Sequence, residues 1–249
     1  MGTNYDSGHV ADHYQQAKQH PWRSLVEEYS LLSLVGDISG KKVVDIACGE
    51  GYFTRRLRRA DAATVVGIDI SERMIDMARA QEESDPLGID YRVCDTRTIG
   101  PQRDFDVAVS AWLLSYADSR AELARMCRGI ASWLRPGGRF VTLTSNPEVY
   151  FFRPPPDYRK YGLRMTLMDH VYEGAPIRWT IDLGDTELEI ENYYLPLDAF
   201  EPTFHDAGFR DFRIHPLQLD PGSQTVENKR YWREFMDNPI ALLIDCMKA

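Results

Sequence analysis

The feature that most limits the fold is a regular alternation of short apolar runs and amphipathic runs over residues 41–145. Apolar runs that end in turns predict buried strands, and runs with apolar residues three or four positions apart predict helices. Strands that alternate with helices form a parallel sheet covered on both faces. We therefore predict an α/β, doubly wound, mostly parallel sheet. Its first five strands are expected in KVVDIA, TVVGIDI, IDYRVCD, FDVAVSAWLL and RFVTLTS.

The helix SRAELARMCRGIASWL opens with a capping box, Ser119 with Glu122, and is expected to stop at Pro136. We predict a single domain over residues 1–249. Its parts are a helical cover (1–40), a cofactor-binding core (41–147), an insert (148–195) and the C-terminal part of the sheet (196–249). The tail YWREFMDNPIALLIDCMKA is expected to be a docked terminal helix or an edge element.

The insert, residues 148–195, interrupts the alternation. It contains the hairpin pattern IRWTIDL-GD-TELEIENYYL and nine of the 28 aromatic residues. This enrichment predicts a lid or a substrate wall. The alternative is a satellite hydrophobic cluster under a long loop.

Charge and composition narrow the function classes. The formal net charge of −9 argues against a nucleic-acid partner. The basic run RRLRR at 55–59 is interpreted as the solvated face of an amphipathic helix. The sequence contains no run of ~18 apolar residues, so we expect no membrane span. The four cysteines are scattered, so we expect no zinc site, no disulfide framework, no metal and a reducing, cytoplasmic setting.

A tight turn follows the first strand in DIACGEGYF. Gly49 and Gly51 permit positive φ angles and a close backbone approach to a ligand, and the next helix offers free amides. Thr54 stands where a dinucleotide fingerprint has its third glycine, and no G-K-[ST] follows. The turn therefore favours a nucleotide without a pyrophosphate and argues against a nicotinamide dehydrogenase, which is a further alternative.

Carboxylates end three successive strands, at the edge where doubly wound sheets bind ligands. Asp69 stands 18 residues after Gly51, where a carboxylate accepts hydrogen bonds from ribose hydroxyls. Asp95 can accept from an adenine amino group. Together with Asp45, these acids suit a cationic ligand, so all three are predicted cofactor residues.

These motifs, VVDIACGEGYFTRRL, VVGIDIS, YRVCDTR and FDVAVSAWLLSY with LRPGGRFV, resemble the class I S-adenosylmethionine-dependent methyltransferases over about residues 41–145. The resemblance implies a seven-stranded Rossmann-like sheet, S-adenosylmethionine as cofactor and S-adenosylhomocysteine as product. It places Asp69 at the ribose and Ser110 near the sulfonium. The other implied contacts are the methionine part for Ala47, Gly49 and Gly51, the adenine faces for Ile70 and Met74, and the adenine edge for Asp95 and Thr96.

The N-terminal run NYDSGHVADHYQQAKQHPWRSLVE resembles a bacterial small-molecule subgroup that includes toxoflavin N-methyltransferase, which methylates two ring nitrogens of an azapteridine. The resemblance implies N-terminal helices folded over the cofactor. It makes Tyr14 and Arg23 candidates for the cofactor carboxylate, since arginine can grip a carboxylate bidentately. The alternative for Arg23 is a cation on a helix surface.

The residues after the fourth strand bear on the acceptor. They read SAWLL and lack an N-P-P-Y-like motif, which counts against DNA and protein-glutamine substrates. Aromatic side chains can stack a flat heteroaromatic acceptor, and an acidic ring N–H needs little base catalysis. A phenol would need a general base. The catalytic candidates are Tyr5, Trp112 and Tyr116 for stacking and His13 and His170 as bases, each histidine with a structural or solvated alternative.

We therefore expect methyl transfer to a demethylated toxoflavin-type azapteridine nitrogen by direct in-line displacement. The alternatives are a small-molecule O-methyltransferase of secondary metabolism and a non-catalytic S-adenosylmethionine-binding protein. The expected partner is a small-molecule substrate, with no nucleic acid and no membrane, and the expected assembly is a monomer or homodimer.

Overall fold

The computed structural model describes residues 3–98, 104–168, 170–223 and 225–249, without the Val226 side chain. Within these ranges the strands are β1 (Lys42–Ile46), β2 (Thr64–Asp69), β3 (Asp90–Val93), β4 (Phe105–Ala111), β5 (Leu134–Ser145), β6 (Leu163–Leu167), β7 (Pro176–Asp182), β8 (Glu187–Tyr193), β9 (Phe209–His215) and β10 (Ala241–Lys248). The helices are α1 (Gly8–Ala17), α2 (Tyr29–Val35), α3 (Tyr52–Arg59), α4 (Glu72–Ser84), α5 (Arg120–Trp133), α6 (Phe200–Asp206) and α7 (Val226–Asp237). A π-helical turn, Arg23–Glu28, precedes α2.

Seven strands form the main sheet in the order β3-β2-β1-β4-β5-β10-β9. The first five are parallel, and β10 runs antiparallel to both of its neighbours. The prediction of a doubly wound, mostly parallel, seven-stranded sheet is confirmed. The carboxyl ends of β1 to β4 therefore meet at one edge, where the order reverses and ligands bind in such sheets.

The predicted helix run 119–134, with its stop at Pro136, is confirmed to within one residue at its C-terminal end, because α5 ends at Trp133. The strand β5 begins earlier than predicted, at Leu134 rather than at Arg139. Leu134 pairs with Phe105 and Arg139 pairs with Val107, so the residues between them bulge out of the ladder and accommodate the proline.

The C-terminal tail contains α7 followed by β10, and β10 is an interior strand rather than an edge element. Its first six residues, Ala241–Cys246, are all buried. Five of these six residues are apolar, and a buried run of this kind is typical of a strand covered on both faces. The edge position belongs to β9.

The insert folds as an antiparallel sheet in the order β6-β7-β8. The predicted hairpin is present as β7 and β8, and β6 joins it as a strand that the sequence pattern did not predict. Trp179 on β7 packs edge-on against Trp112 with ring centroids 5.0 Å apart. Because the buried side of this sheet belongs to the same hydrophobic cluster as β1 and β4, the satellite-cluster alternative is wrong.

The basic run 55–59 is only in part a solvated face, because Arg59 is exposed whereas Arg55 is buried. Arg55 is 6% exposed and donates to Glu82 at 2.8 Å and to the Asp85 carboxylate at 2.6 Å. Arg58 donates to two backbone carbonyls. These side chains tie α3 to the segment that follows α4.

Within the described ranges, no helix is long and apolar enough to cross a bilayer. The histidine, cysteine and acidic side chains described there form no group of three or more suited to a metal ion. All four cysteines are free.

Candidate cofactor and acceptor cavity

A cavity of about 500 Å³ opens at the carboxyl ends of β1 to β4. This size lies within the range usual for small-molecule sites. One half is lined by residues that follow β1, β2 and β3, and the other half is mainly aromatic. The predicted site residues that line it are Tyr5, Tyr14, Ala47, Gly49, Asp69, Ile70, Met74, Asp95, Thr96, Trp112 and Tyr116.

The two glycines of the turn serve different neighbours. Gly49 has φ +55° and lines the cavity, and the nearest atom to an added Cβ would be Tyr14 Cε1 at 3.9 Å. Gly51 has φ +90°, and an added Cβ would overlap the Tyr91 hydroxyl behind the turn. Gly49 therefore leaves room for a ligand, whereas Gly51 leaves room for core packing and does not line the cavity.

Asp69 is held rigidly at the centre of the first half. Its Oδ2 accepts from the Gly49 amide at 2.8 Å, and its Oδ1 accepts from the Ser71 amide at 2.9 Å. Burial raises the pKa of the Asp69 carboxyl, and these two amides partly oppose that rise. Each oxygen keeps further acceptor capacity. A pair of hydroxyls bound there would favour the ionised carboxylate.

Asp95 sits in a charged network that sequence reasoning missed. Its carboxylate accepts from Arg97 Nε at 2.9 Å and from Nη2 at 2.8 Å, and this pairing lowers the pKa of Asp95. Arg97 Nη1 also donates to Glu122 at 2.7 Å. The sequence pattern predicts Glu122 only as a capping residue. Both Glu122 and Arg97 line the cavity. The signal available in the sequence was the short spacing from Asp95 to Arg97.

Tyrosine and tryptophan rings form the other half. The hydroxyls of Tyr5 and Tyr116 hydrogen-bond to each other, and the Tyr5 and Tyr14 rings meet edge-on at 5.4 Å. Trp112 adopts a left-handed backbone conformation, φ +71°, which is uncommon for a bulky residue and is concentrated at functional sites. Tyr193 of β8 also lines this half, so the insert contributes to the cavity wall.

The N-terminal segment is fixed at three points around the cavity. Thr3 Oγ1 accepts from the Glu191 amide of β8 at 2.9 Å. Tyr5 bonds to Tyr116, and Asp6 accepts from Ser71 Oγ at 2.7 Å. The segment thus joins the insert to the start of α4.

Besides Arg23, which is described below, three predicted cofactor residues lie outside the cavity lining. Gly51 faces Tyr91, as described above. Asp45 is buried and accepts from Thr54 Oγ1 at 2.6 Å, and burial raises its pKa to about 7. Ser110 is fully buried and hydrogen-bonds to Thr142 at 2.8 Å. The side chains of Asp45 and Ser110 are therefore not placed to contact a ligand directly, because both are buried and hydrogen-bonded to neighbouring residues.

Arg23 is a buried side chain rather than a surface cation. Its Nη1 donates to both Glu27 oxygens, at 3.0 and 2.9 Å, while its Nε is buried without a partner. The guanidinium lies close enough to Tyr14 and Tyr5 to interact with them electrostatically. Arg23 is just outside the lining, and its free Nε edge leaves the predicted role at a carboxylate open.

The two histidine candidates lie away from the cavity lining. The ring centroid of His13 lies 3.9 Å from that of His9, with the two rings tilted, and that of His170 lies 5.0 Å from that of Tyr172. Among the described lining residues there is no histidine. The proposed base role of His13 and His170 is therefore not supported by the geometry, since neither side chain reaches the place where an acceptor would lie.

The residues present fit S-adenosylmethionine. Asp69 has acceptor capacity for a ribose diol, and Gly49 leaves open space at the turn. Ile70 is 60% exposed beside Met74, which provides an apolar surface for a flat base. Arg23 does not line the cavity, but its buried and unpartnered Nε is a donor of the kind that an amino-acid carboxylate accepts from.

Known proteins with a similar sequence or fold include methyltransferases. A family model described as a methyltransferase domain matches residues 43–138. A solved S-adenosylmethionine-dependent methyltransferase from Mesorhizobium loti superposes with a TM-score of 0.62 at 23% identity, covering 89% of this chain and 97% of that one. At this identity the likeness concerns the fold.

Two relatives differ in the atom that they methylate. The ubiquinone biosynthesis O-methyltransferase of Stutzerimonas stutzeri is 28% identical over 60% of this chain and 68% of that enzyme. The N-demethylindolmycin N-methyltransferase of Streptomyces griseus is 24% identical over 90% of this chain and 95% of that enzyme. The chain spans about half the length of further ubiquinone O-methyltransferases that it matches.

The fold and the cavity define an α/β protein with a small-molecule site at the carboxyl edge of its sheet, and residues 43–138 match a methyltransferase domain. The lining of this site fits S-adenosylmethionine as the cofactor.

Proposed function

We propose that this protein methylates a ring nitrogen of a small, flat heteroaromatic molecule, an azapteridine of the demethylated toxoflavin type. The observation that supports this most is the wall of the second half of the cavity. Rings of Tyr5, Trp112, Tyr116 and Tyr193 line it, and such rings favour a flat partner. A small molecule, rather than a nucleic acid or a membrane, is the proposed partner, and the proposed assembly is a monomer or homodimer.

The preference for nitrogen over oxygen rests on the scarcity of bases. Burial raises the pKa of both Tyr5 and Tyr116, so these hydroxyls stay protonated at neutral pH. Glu122 pairs with Arg97, and Asp118 is exposed at the rim. A phenol would need a base beside its hydroxyl, whereas an acidic ring N–H can ionise before it binds. The N-methyltransferase relative from Streptomyces griseus agrees with this preference.

The chain's contribution to catalysis is placement. S-adenosylmethionine supplies the electrophilic methyl group. Asp69 would hold the ribose, and the aromatic wall would orient the acceptor and exclude water from the reacting atoms. Fixing two reactants in this way removes much of the entropic barrier.

The test is a mass-spectrometric assay with S-adenosylmethionine and, in parallel, didemethylated toxoflavin or a catechol. We expect the azapteridine to gain one or two methyl groups and the catechol none. The reverse result would establish the O-methyltransferase alternative. Gain by neither acceptor, with S-adenosylhomocysteine still raising the melting temperature, would favour the non-catalytic alternative. Asp69→Ala is the control that should abolish both transfer and the melting shift.

A further inference from the structure

Two tyrosine hydroxyls from distant parts of the chain meet in the aromatic half of the cavity. Tyr5 belongs to the N-terminal segment, and Tyr116 ends the 3₁₀ turn that follows β4. The two residues are 111 positions apart, both line the cavity, and their hydroxyls bond to each other. Among the described residues neither hydroxyl has a second hydrogen-bond partner.

A count of donors and acceptors shows what this pair can offer a ligand. Each hydroxyl carries one proton and two lone pairs. The mutual bond uses one of the two protons, so one O–H remains free to donate while oxygen lone pairs remain free to accept. The pair therefore presents a donor and an acceptor side by side.

We propose that the Tyr5–Tyr116 hydroxyl pair recognises a lactam edge of the acceptor, meaning a ring N–H next to a C=O, and so determines acceptor specificity. The N–H of a ring nitrogen other than the one that is methylated would donate to a tyrosine oxygen, and the adjacent carbonyl would accept from the free tyrosine O–H. This inference rests on the proposed flat heteroaromatic acceptor. It adds that the acceptor is a cyclic amide or imide and assigns the residues that select it.

The surroundings of the pair suit recognition rather than proton removal. Burial raises the pKa of both hydroxyls, so they act as neutral hydrogen-bonding groups. Tyr5 is held in place by its neighbours, because Asp6 accepts from Ser71 and Thr3 accepts from the Glu191 amide. The pair is consequently assembled before a ligand arrives, which lowers the entropic cost of binding.

The experiment measures binding, not turnover. Protein saturated with S-adenosylhomocysteine is titrated calorimetrically with lumazine (pteridine-2,4-dione) and with 1,3-dimethyllumazine, whose pyrimidine-ring N–H groups are methylated. The variants are Tyr5→Phe and Tyr116→Phe. The matched control is Tyr150→Phe, which removes a buried tyrosine hydroxyl outside the cavity.

We expect either cavity variant to weaken lumazine binding about tenfold, the size of one lost hydrogen bond with an unpaired partner. Both variants should weaken the binding of 1,3-dimethyllumazine less than that of lumazine, because this probe keeps its carbonyl groups but lacks the pyrimidine-ring N–H groups. Binding of S-adenosylhomocysteine should be unchanged, and Tyr150→Phe should match the wild type. Wild-type protein that does not bind lumazine, or Phe variants that bind it normally, would overturn the inference. So would an equal loss for both probes.

The outcome is separable from that of the proposed function. Lumazine binding that depends on the tyrosines, without methyl transfer in the mass-spectrometric assay, would reject the proposed reaction and keep this inference. Methyl transfer to the azapteridine, together with lumazine binding that is unchanged in both Phe variants, would keep the proposed reaction and reject this inference.

Discussion

The two glycines of the turn should respond differently to the same added methyl group. At Gly49 the substitution to alanine meets no protein atom closer than 3.9 Å. Its cost to folding is the left-handed conformation, about 1–2 kcal/mol, partly offset by roughly 0.4–1 kcal/mol from the less flexible unfolded chain. At Gly51 a similar strain applies, and the methyl group also collides with Tyr91, which is 4% exposed and packs against Ile75 and Ala78. Overpacking adds about 1–3 kcal/mol.

We therefore expect Gly49→Ala to lower the free energy of unfolding by about 1 kcal/mol and Gly51→Ala by about 3 kcal/mol, measured by urea denaturation without ligand. The effect on cofactor binding should be reversed. The methyl group of Gly49→Ala occupies the cavity, so its affinity for S-adenosylhomocysteine should fall about tenfold or more, or about 1.4 kcal/mol. Gly51→Ala should bind nearly normally under conditions where it is folded. Equal destabilisation of both variants, or normal binding by Gly49→Ala, would refute the reasoning.

Three further predictions concern buried charges. The folded-state pKa of Asp45, about 7, is above its unfolded value of about 4. The resulting stabilisation is complete below pH 4 and is lost as the pH rises to 7, on the order of 4 kcal/mol in all. Asp45→Asn keeps an acceptor for Thr54, so its urea stability should lack this decline; a wild-type slope would contradict the assignment. Asp69→Asn should weaken S-adenosylhomocysteine binding by about 2 kcal/mol, because it removes the negative charge and replaces one of the two acceptor oxygens that would face the ribose hydroxyls. A thermal shift equal to that of the wild type would count against it. Arg55→Met should cost about 3 kcal/mol of unfolding free energy, because it strips a buried partner from Glu82, whereas the exposed Arg59→Met should cost less than about 1 kcal/mol. Similar losses of unfolding free energy in the two variants would show that the burial of Arg55 does not add to stability.

The sequence was most informative where function and chain order coincide. The turn at 47–51 follows a strand and precedes a helix, so its residues are neighbours in both sequence and space. Asp69 is separated from it by one strand–helix–strand unit, whose geometry is nearly fixed by the handedness of such connections. That is why the cavity edge and the placement of Ala47, Gly49 and Asp69 on it could be predicted.

The sequence was least informative where a side chain had several partners within reach. The sequence leaves two roles open for Arg23, a cation on a helix surface and a ligand residue. In the structure Glu27, one turn later, accepts hydrogen bonds from Arg23 Nη1, and the pair is buried. The sequence predicts Arg55 as part of the solvated face of an amphipathic helix. Its true environment is set by Glu82 and Asp85, which lie in the next helix and the segment after it.

By itself, the sequence determined the alternation of strands and helices, the open turn and the carboxylate that follows the second strand, because each depends on local geometry and a regular repeat. Only the tertiary structure decided that β10 enters the sheet between β5 and β9, and that the insert packs into the main core. It also decided that Tyr5 meets Tyr116 across 111 residues. These are long-range pairings among many side chains of similar chemistry, and the packing of the whole chain selects one of them.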